Sequence, residues 1–167
     1  MPLRPSESGQ VSENILFRRG TSDDITRVIE IWEVAVRSSH HFLSENDIID
    51  IRQTVSQTIS SVVGLFVAEG DFGELLGFTI LAPESKAAQN QGHVYSLFVD
   101  PSFHGLGLGN EFLNFAKISY DALSLDVNED NDKAREFYVK RGFSVVSRSE
   151  KDNQGRPFPL LRMVWKK

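Results

Sequence analysis

The 167-residue sequence contains no cysteine. This absence excludes disulfide bonds, zinc sites built from thiolates and any mechanism that passes through an acyl-cysteine. Long hydrophobic runs are also absent, because the longest ones, residues 62–68 and 75–82, have only the length of a β-strand. A membrane helix needs roughly twenty such residues, so we expect no membrane span. The chain also lacks an excess of positive charge. Its 18 basic and 23 acidic residues leave a net charge of −5, which argues against nucleic-acid binding.

The composition is that of an ordinary globular domain. Hydrophobic residues make up 40% of the chain and charged residues 25%, and 12 Phe with 2 Trp are ample for a core. The length fits one domain. Residues 1–13 are polar and lack the apolar core of a signal peptide, so we expect a flexible tail there and a single domain over residues 14–167. We expect a cytoplasmic protein.

Hydrophobic periodicity predicts an α/β protein with the element order β-α-α-β-β-β-α-β-α-β-β. Neighbouring strands imply antiparallel pairing, and the β-α-β passage over residues 93–127 implies one parallel pair. The expected fold is therefore a mixed, mostly antiparallel central sheet of about seven strands with helices on both faces. Strands are predicted at 15–19, 62–69, 74–81, 93–99, 122–127, 143–148 and 160–165, helices beginning near 21, 44, 108 and 131, and a polar loop at 83–91.

A glycine-rich turn between a strand and a helix is the strongest sign of a ligand site. Residues 95–109 read YSLFVDPSFHGLGLG, so that an apolar strand leads to alternating glycines and then directly to a helix. Alternating glycines let backbone N–H groups face one concavity at the positive end of the helix, which suits a phosphate group. The same glycines also fit a tight turn that binds nothing.

Two other nucleotide-binding motifs can be compared with this turn by the residues that they require. A P-loop ends in Gly-Lys-Ser/Thr, whereas Gly109 is followed by Asn110 and Glu111. The dinucleotide pattern Gly-x-Gly-x-x-Gly fails in both registers, because Asn110 or Phe112 stands at the last glycine position. Asp126 does lie at the distance expected for a ribose-binding acid, so a dinucleotide-dependent oxidoreductase is disfavoured but stays open.

A second motif follows in residues 127–143, VNEDNDKAREFYVKRGF. Its pattern V-N-x-x-N-x-x-A-x-x-F-Y-x-x-x-G-F resembles the acetyl-CoA-binding half of the GNAT superfamily of N-acetyltransferases, and the glycine turn resembles that superfamily's pyrophosphate loop. The resemblance in element order covers residues 15–165, and residues 31–44 and 155–161 look closer to the bacterial peptidyl-lysine N-acetyltransferases. The resemblance implies an acyltransferase that takes acetyl-CoA as co-substrate and needs no metal.

The resemblance also implies roles for particular residues. Leu97, Phe98 and Val99 would pair their backbone with the pantetheine arm, and the Val99 N–H would face the thioester oxygen. Asn131 would hydrogen-bond the arm near the sulfur. Tyr138 would protonate the leaving thiolate, because a phenol with a pKa of about 10 stays protonated at neutral pH. The pyrophosphate would be held by the turn residues His104, Gly105, Leu106, Gly107, Leu108 and Gly109.

Histidines raise two further questions. The first position of the pyrophosphate loop is usually Gln or Arg, and here it is His104. Because an imidazole is mostly uncharged at pH 7, we expect tighter cofactor binding on acidification and in His104→Arg. The second question is which residue acts as the general base that deprotonates the acceptor amine. His40 and His93 are the leading candidates, and Asp100 and Glu69 are carboxylate alternatives.

The acceptor amine also stays open. Without cysteine, direct attack in a ternary complex is the simplest route. The acceptor is a protein lysine or N-terminal amine, or a small amine such as a polyamine, an amino sugar or an amino acid. Tyr95 and Phe42 either line its pocket or belong to the core. A CoA-binding module without catalysis is the hypothesis from another class, and Tyr138 counts against it. We expect a monomer or a homodimer.

Overall fold

The computed structural model describes residues 14–61 and 63–167, so the predicted tail over residues 1–13 lies outside the described residues. The element order is the predicted one. The strands are β1 (Leu16–Arg19), β2 (Leu65–Glu69), β3 (Leu75–Ser85), β4 (Ala88–Val99), β5 (Ala122–Asn128), β6 (Ser144–Ser149) and β7 (Leu160–Lys166). The helices are α1 (Ile25–Ser39), α2 (Glu45–Ser61), α3 (Leu108–Ser119) and α4 (Asp132–Lys140). No helix within the described ranges is long and apolar enough to cross a membrane.

The strands form one 7-stranded sheet in the order β1-β2-β3-β4-β5-β7-β6. Every neighbouring pair is antiparallel except β4 and β5, which are parallel and joined through α3. This confirms the predicted mixed, mostly antiparallel sheet. Side chains alternate between its faces, so Leu65 and Val67 of β2 pack with α1 and α2, whereas Ala68 packs with α3. Helices α3 and α4 cover the opposite face over β5 and β7.

The β3–β4 hairpin is longer than the sequence indicates. The prediction of a polar loop over residues 83–91 is wrong, because β3 continues to Ser85 and β4 begins at Ala88. Ser85 Oγ accepts the N–H of Ala88, and the Gln89 amide donates to the carbonyl of Lys86, so the tight turn satisfies its own polar groups. Most side chains at this end are exposed and polar, so the apolar alternation that identifies a strand is missing although the strand is present.

The parallel pair separates halfway along its length. β4 pairs with β5 only over residues 91–94 against residues 122–125. Both strands nevertheless continue, β4 to Val99 and β5 to Asn128. A wedge-shaped gap therefore lies between the C-terminal halves of β4 and β5.

A β-bulge marks the point of separation. Ile80 of β3 pairs with Ser96, and its neighbour Leu81 pairs with Val94, which leaves Tyr95 as the extra residue of β4. A bulge bends its strand and increases the local twist. This bend directs the end of β4 away from β5 and opens the gap.

Candidate active site

The gap exposes backbone polar groups of β4. The N–H of Asp100 donates to the carbonyl of Leu76 on β3 at 2.9 Å, so Asp100 and, two residues earlier, Phe98 turn their polar groups toward β3. Alternation turns the N–H and C=O of Leu97 and Val99 toward the gap, where the described part of β5 no longer pairs with β4. An edge of this kind binds an extended ligand by strand-like hydrogen bonds.

The glycine turn forms an open concave surface at the start of α3. Gly105 has φ 86° and Gly107 has φ 77°, and a Cβ on either would meet no atom within 4 Å. These two glycines are therefore required by the backbone conformation and not by packing. Gly107 is the N-cap of α3 and provides no side-chain acceptor, so the first N–H groups of the helix stay available. Such a helix end favours an anion.

The remaining turn residues contribute in other ways. Leu108 is buried in the core, and Leu106 packs against the same cluster, so both offer only backbone groups to a ligand. A Cβ on Gly109 would lie 3.0 Å from the ring of Phe137, so this glycine permits the close approach of α3 and α4. His104 is exposed, and its Nε2 lies 3.2 Å from the carbonyl oxygen of Val99, at the edge of the gap.

A cavity of about 330 Å³ adjoins the gap. Its walls come from α1, α2, the C-terminal halves of β4 and β5, the start of α4 and the loop between β6 and β7. The structure brings Leu97, Phe98, Asn131, Tyr138 and His40 together in this wall.

Tyr138 packs against two other aromatic rings in the wall. Its ring makes edge contacts with Phe137 and Phe143 at centroid distances of 5.2 and 5.6 Å, and 9% of the residue is exposed. Burial raises the pKa of Tyr138 to about 12, so the phenol is protonated at neutral pH. No described residue hydrogen-bonds its hydroxyl, which is thus available as a donor.

Asn131 has a structural role as well as a place in the wall. It is the N-cap of α4, and its Oδ1 accepts the N–H of Ala134 at 3.2 Å. The amide N–H groups of its side chain are not used in this cap and remain available to a ligand.

The two histidine candidates for the general base lie in different places. His40 follows α1 and lines the cavity, and burial together with repulsion from His41 lowers its pKa to about 4. It is therefore neutral at pH 7. His93 is not among the residues that line the cavity, and its Nδ1 lies 2.7 Å from Ser124 Oγ, behind the wall.

The carboxylate alternatives are already paired. Asp100 contacts Arg27 at 2.6 Å and also accepts the N–H of Ser102. Glu69 contacts Arg18 at 2.5 Å. Neither Asp100 nor Glu69 lines the cavity, so the geometry does not favour either as the base.

Several residues that line the cavity were not predicted as acceptor-site residues from the sequence. Asp126 lines the cavity, although the sequence singled it out only as a ribose-binding candidate. Asp152, Arg156 and Phe158 reach the cavity from the loop between β6 and β7. A polar residue between Leu125 and Val127 in a buried strand was the one available sign of Asp126.

The aromatic candidates for the acceptor pocket are both near it. Tyr95 lines the cavity and is 57% exposed. Phe42 lies against two cavity residues, with ring centroids 5.5 Å from His40 and 5.7 Å from Phe158. The contact with Phe158 joins the α1–α2 connection to the loop between β6 and β7.

Comparison with known proteins identifies the family of this chain. The Acetyltransferase (GNAT) family matches residues 28–143, more than half of the chain. The chain belongs to this family. Peptidyl-lysine N-acetyltransferase YjaB of Salmonella typhimurium is 34% identical over 151 residues, which cover 90% of this chain and 98% of that protein. The solution structure of apo-form YjaB from Escherichia coli has a TM-score of 0.81 at 31% identity and covers 91% of this chain and 97% of that one.

A coenzyme A complex is among the structures with this fold. The PaiA N-acetyltransferase of Thermoplasma acidophilum in complex with coenzyme A has a TM-score of 0.69 at 20% identity, covering 92% of this chain and 99% of that one. For this GNAT protein, the predicted family, fold and enzyme class are confirmed: it is an acyltransferase of the N-acetyltransferase type.

Proposed function

We propose that this GNAT protein transfers the acetyl group of acetyl-CoA directly to the ε-amine of a protein lysine in a ternary complex. The observation that carries the proposal is the gap between β4 and β5, with the open N-terminus of α3 beside it and the Tyr138 cavity adjoining it. The match of two peptidyl-lysine N-acetyltransferases over 90% of the chain supports a lysine acceptor. The lack of cysteine supports transfer without an acyl-cysteine.

The residues present fit acetyl-CoA, which supplies the activated thioester. The glycine turn from His104 to Gly109 and the first N–H groups of α3 hold the pyrophosphate. Leu97 and Val99 bind the pantetheine arm through the backbone groups that face the gap, and Phe98 between them forms the wall beside it. The Val99 N–H stabilises negative charge on the thioester oxygen.

Asn131 and Tyr138 act near the sulfur. The side-chain amide of Asn131 donates to the arm while its Oδ1 caps α4. The Tyr138 phenol donates its proton to the leaving thiolate, because burial keeps it protonated and nothing in the described structure competes for that proton. Retention of this acid in the cavity argues against a CoA-binding module without catalysis.

The proposal is tested by CoA release from acetyl-CoA over a panel of amines. The panel contains a lysine peptide, a peptide whose only amine is its N-terminus, a polyamine and an amino sugar. We expect release with the lysine peptide and a loss of about 100-fold or more in kcat for Tyr138→Phe. Acetyl-CoA affinity, measured by titration calorimetry, should stay within a factor of about two, because only a hydroxyl is removed. If the protein binds acetyl-CoA tightly but releases no CoA with any amine of the panel, catalysis is contradicted.

A small amine is the second candidate acceptor. The Phe42–Phe158 contact joins the α1–α2 connection to the loop between β6 and β7 beside the cavity. Release with the polyamine or amino sugar, and none with the lysine peptide, would favour this alternative. Either acceptor arrives as an ammonium near neutral pH and must lose a proton before it attacks. The sequence offers His40 and His93 for that step, and of these two only His40 lines the cavity.

A further inference from the structure

A cluster of polar side chains lies under the cavity wall, on four adjacent strands. We call Glu84, His93, Ser124, Asp126 and Arg162 the relay cluster. His93 is 7% and Ser124 is 3% exposed, yet every side-chain polar atom that is fully enclosed in the described residues has a hydrogen-bond partner. Asp126 is the one member that lines the cavity. At the other end, the Glu84 side chain is 32% exposed and reaches solvent.

The hydrogen bonds of the cluster fix the direction in which protons are donated. The Ser124 hydroxyl has one proton, and it donates to Glu84 Oε1 at 3.1 Å. His93 Nδ1 lies 2.7 Å from the same hydroxyl oxygen, so Nδ1 carries the proton of the neutral ring and donates to Ser124. His93 Nε2 therefore presents its lone pair to Asp126 Oδ2, at 3.9 Å. A shortening of about 1 Å makes this approach a hydrogen bond once a proton lies between the two atoms.

The charges of the cluster act on His93 in opposite directions. Arg162 contacts Glu84 at 2.5 Å and Asp126 at 3.2 Å, so one positive charge faces two carboxylates and a neutral imidazole. The pKa of His93 is lowered overall, first by burial and then by Arg162, while Asp126 and Glu84 act in the opposite direction, so the ring is neutral at rest and carries an extra proton only in passing. Tyr95 is an uncharged neighbour, with its ring 4.4 Å from that of His93. The cluster has a net charge of −1 at rest and becomes neutral when it gains a proton.

We propose that Asp126 accepts the proton of the acceptor ammonium and that His93, Ser124 and Glu84 conduct it to solvent. The proposal rests on the proposed function, since it concerns the amine of that reaction. The ammonium N–H bond breaks, and a bond forms between the proton and an Asp126 oxygen, which leaves a neutral amine able to attack. The proton then passes to His93 Nε2, giving an imidazolium between two carboxylates. It leaves to water at Glu84, so that the net change is one ammonium converted to one amine and one solvent proton.

His40 offers no comparable route. Its Nδ1 lies 2.7 Å from Ser39 Oγ, and that hydroxyl leads only to the backbone carbonyl of Ala35, at 2.8 Å. Its ring lies between Phe42 and Phe98, and none of the described carboxylates forms an ion pair with it. A proton placed on His40 would create a buried charge without a partner. His40 thus shapes the cavity as a neutral ring, whereas Asp126 acts as the catalytic base and His93, Ser124 and Glu84 as positioning residues.

The test compares pH profiles of kcat for CoA release with the lysine peptide, from pH 6 to 9.5. The variants are Asp126→Asn, His93→Gln, Ser124→Ala and Glu84→Gln, and folding and acetyl-CoA affinity are measured for each by thermal melting and calorimetry. We expect Asp126→Asn to lower kcat at pH 7 by about 100-fold or more, with a rate that rises about tenfold per pH unit as solvent deprotonates the amine. His93→Gln and Ser124→Ala should shift the profile in the same direction by a smaller factor.

A matched control comes from the same cavity. Asp152 is also a cavity carboxylate paired with an arginine, Arg156, at 3.5 Å, but no histidine of the described residues forms an ion pair with it. Asp152→Asn should keep the shape of the wild-type pH profile. An acceptor of low pKa, which is already neutral at pH 7, should restore most of the rate of Asp126→Asn, an effect that a structural defect would not show.

The outcomes separate this inference from the proposed function. If the wild type binds acetyl-CoA and acetylates no amine, the proposed function and the relay fail together. If the wild type is active and Asp126→Asn keeps its pH profile, the relay alone is overturned. A profile that moves in His40→Gln and not in Asp126→Asn would assign the base to His40 and would also overturn the relay.

Discussion

His40 should make the stability of the protein depend on pH. The residue is 9% exposed, and its pKa is lowered from 6.5 to about 4, first by burial and then by repulsion from His41. Because the pKa is lower in the folded state, the unfolded chain binds more protons between these two pH values. The contribution of neutral His40 to the unfolding free energy is therefore fully present above pH 6.5 and is lost as the pH falls toward 4. The pKa difference corresponds to about 3 kcal/mol of unfolding free energy, of which about 2.5 kcal/mol is already lost at pH 4.5.

The measurement is urea unfolding of the wild type and His40→Gln at pH 7.5 and pH 4.5. Glutamine has a similar size and does not titrate, so the variant lacks this contribution. At each pH we take the unfolding free energy of His40→Gln minus that of the wild type. We expect this difference to be about 2.5 kcal/mol more favourable to the variant at pH 4.5 than at pH 7.5. Other titrating groups, His93 included, act equally in both proteins and cancel. His104→Gln serves as the control variant, because it removes an exposed imidazole and leaves the buried one in place. A parallel loss of stability in the wild type and His40→Gln would refute the reasoning.

Three further predictions concern the cofactor side. Gly107→Ala should lose about 1–2 kcal/mol of unfolding free energy, because its φ of 77° disfavours a Cβ, and should bind acetyl-CoA more weakly in calorimetry. Gly155→Ala, at the same φ of 77° in another loop, should lose similar stability at unchanged acetyl-CoA affinity, and equal effects on affinity would remove the role of the glycine turn. Asn131→Asp should keep the cap of α4, whereas Asn131→Ala should lose about 1 kcal/mol, and both should weaken acetyl-CoA binding if the side-chain amide holds the arm. His104→Arg should bind acetyl-CoA more tightly, and unchanged affinity would show that backbone groups alone hold the pyrophosphate.

Much of the fold follows from local sequence patterns. Helical spacing of apolar residues and the turn glycines identify the elements correctly, and the consecutive strands predict the antiparallel pairing. The hairpin over residues 83–91 is missed for a physical reason. Strand identification relies on one buried and one exposed face, and both faces of this extension are largely solvated. The ladder hydrogen bonds that hold Ser85 and Ala88 in place leave no trace in the hydrophobic pattern.

The site divides in the same way. The proposed cofactor residues lie in two continuous segments, so their motifs can be read from the sequence, and the structure places Leu97, Asn131 and Tyr138 around one gap and cavity. The relay cluster cannot be read in this way, because its members are spread from Glu84 to Arg162. They meet only because His93 pairs with Ser124 across β4 and β5, and Asp126 with Arg162 across β5 and β7. This cross-strand register depends on the whole sheet and not on any local pattern.

Direct transfer in a ternary complex is the central claim, and initial-rate kinetics test it most directly. Rates of CoA release are measured while acetyl-CoA and the lysine peptide are varied together. Transfer within a ternary complex predicts double-reciprocal lines that intersect, and no CoA release above background when the peptide is omitted. Parallel lines, with a burst of CoA in the absence of peptide, would reveal an acetylated enzyme and contradict the account.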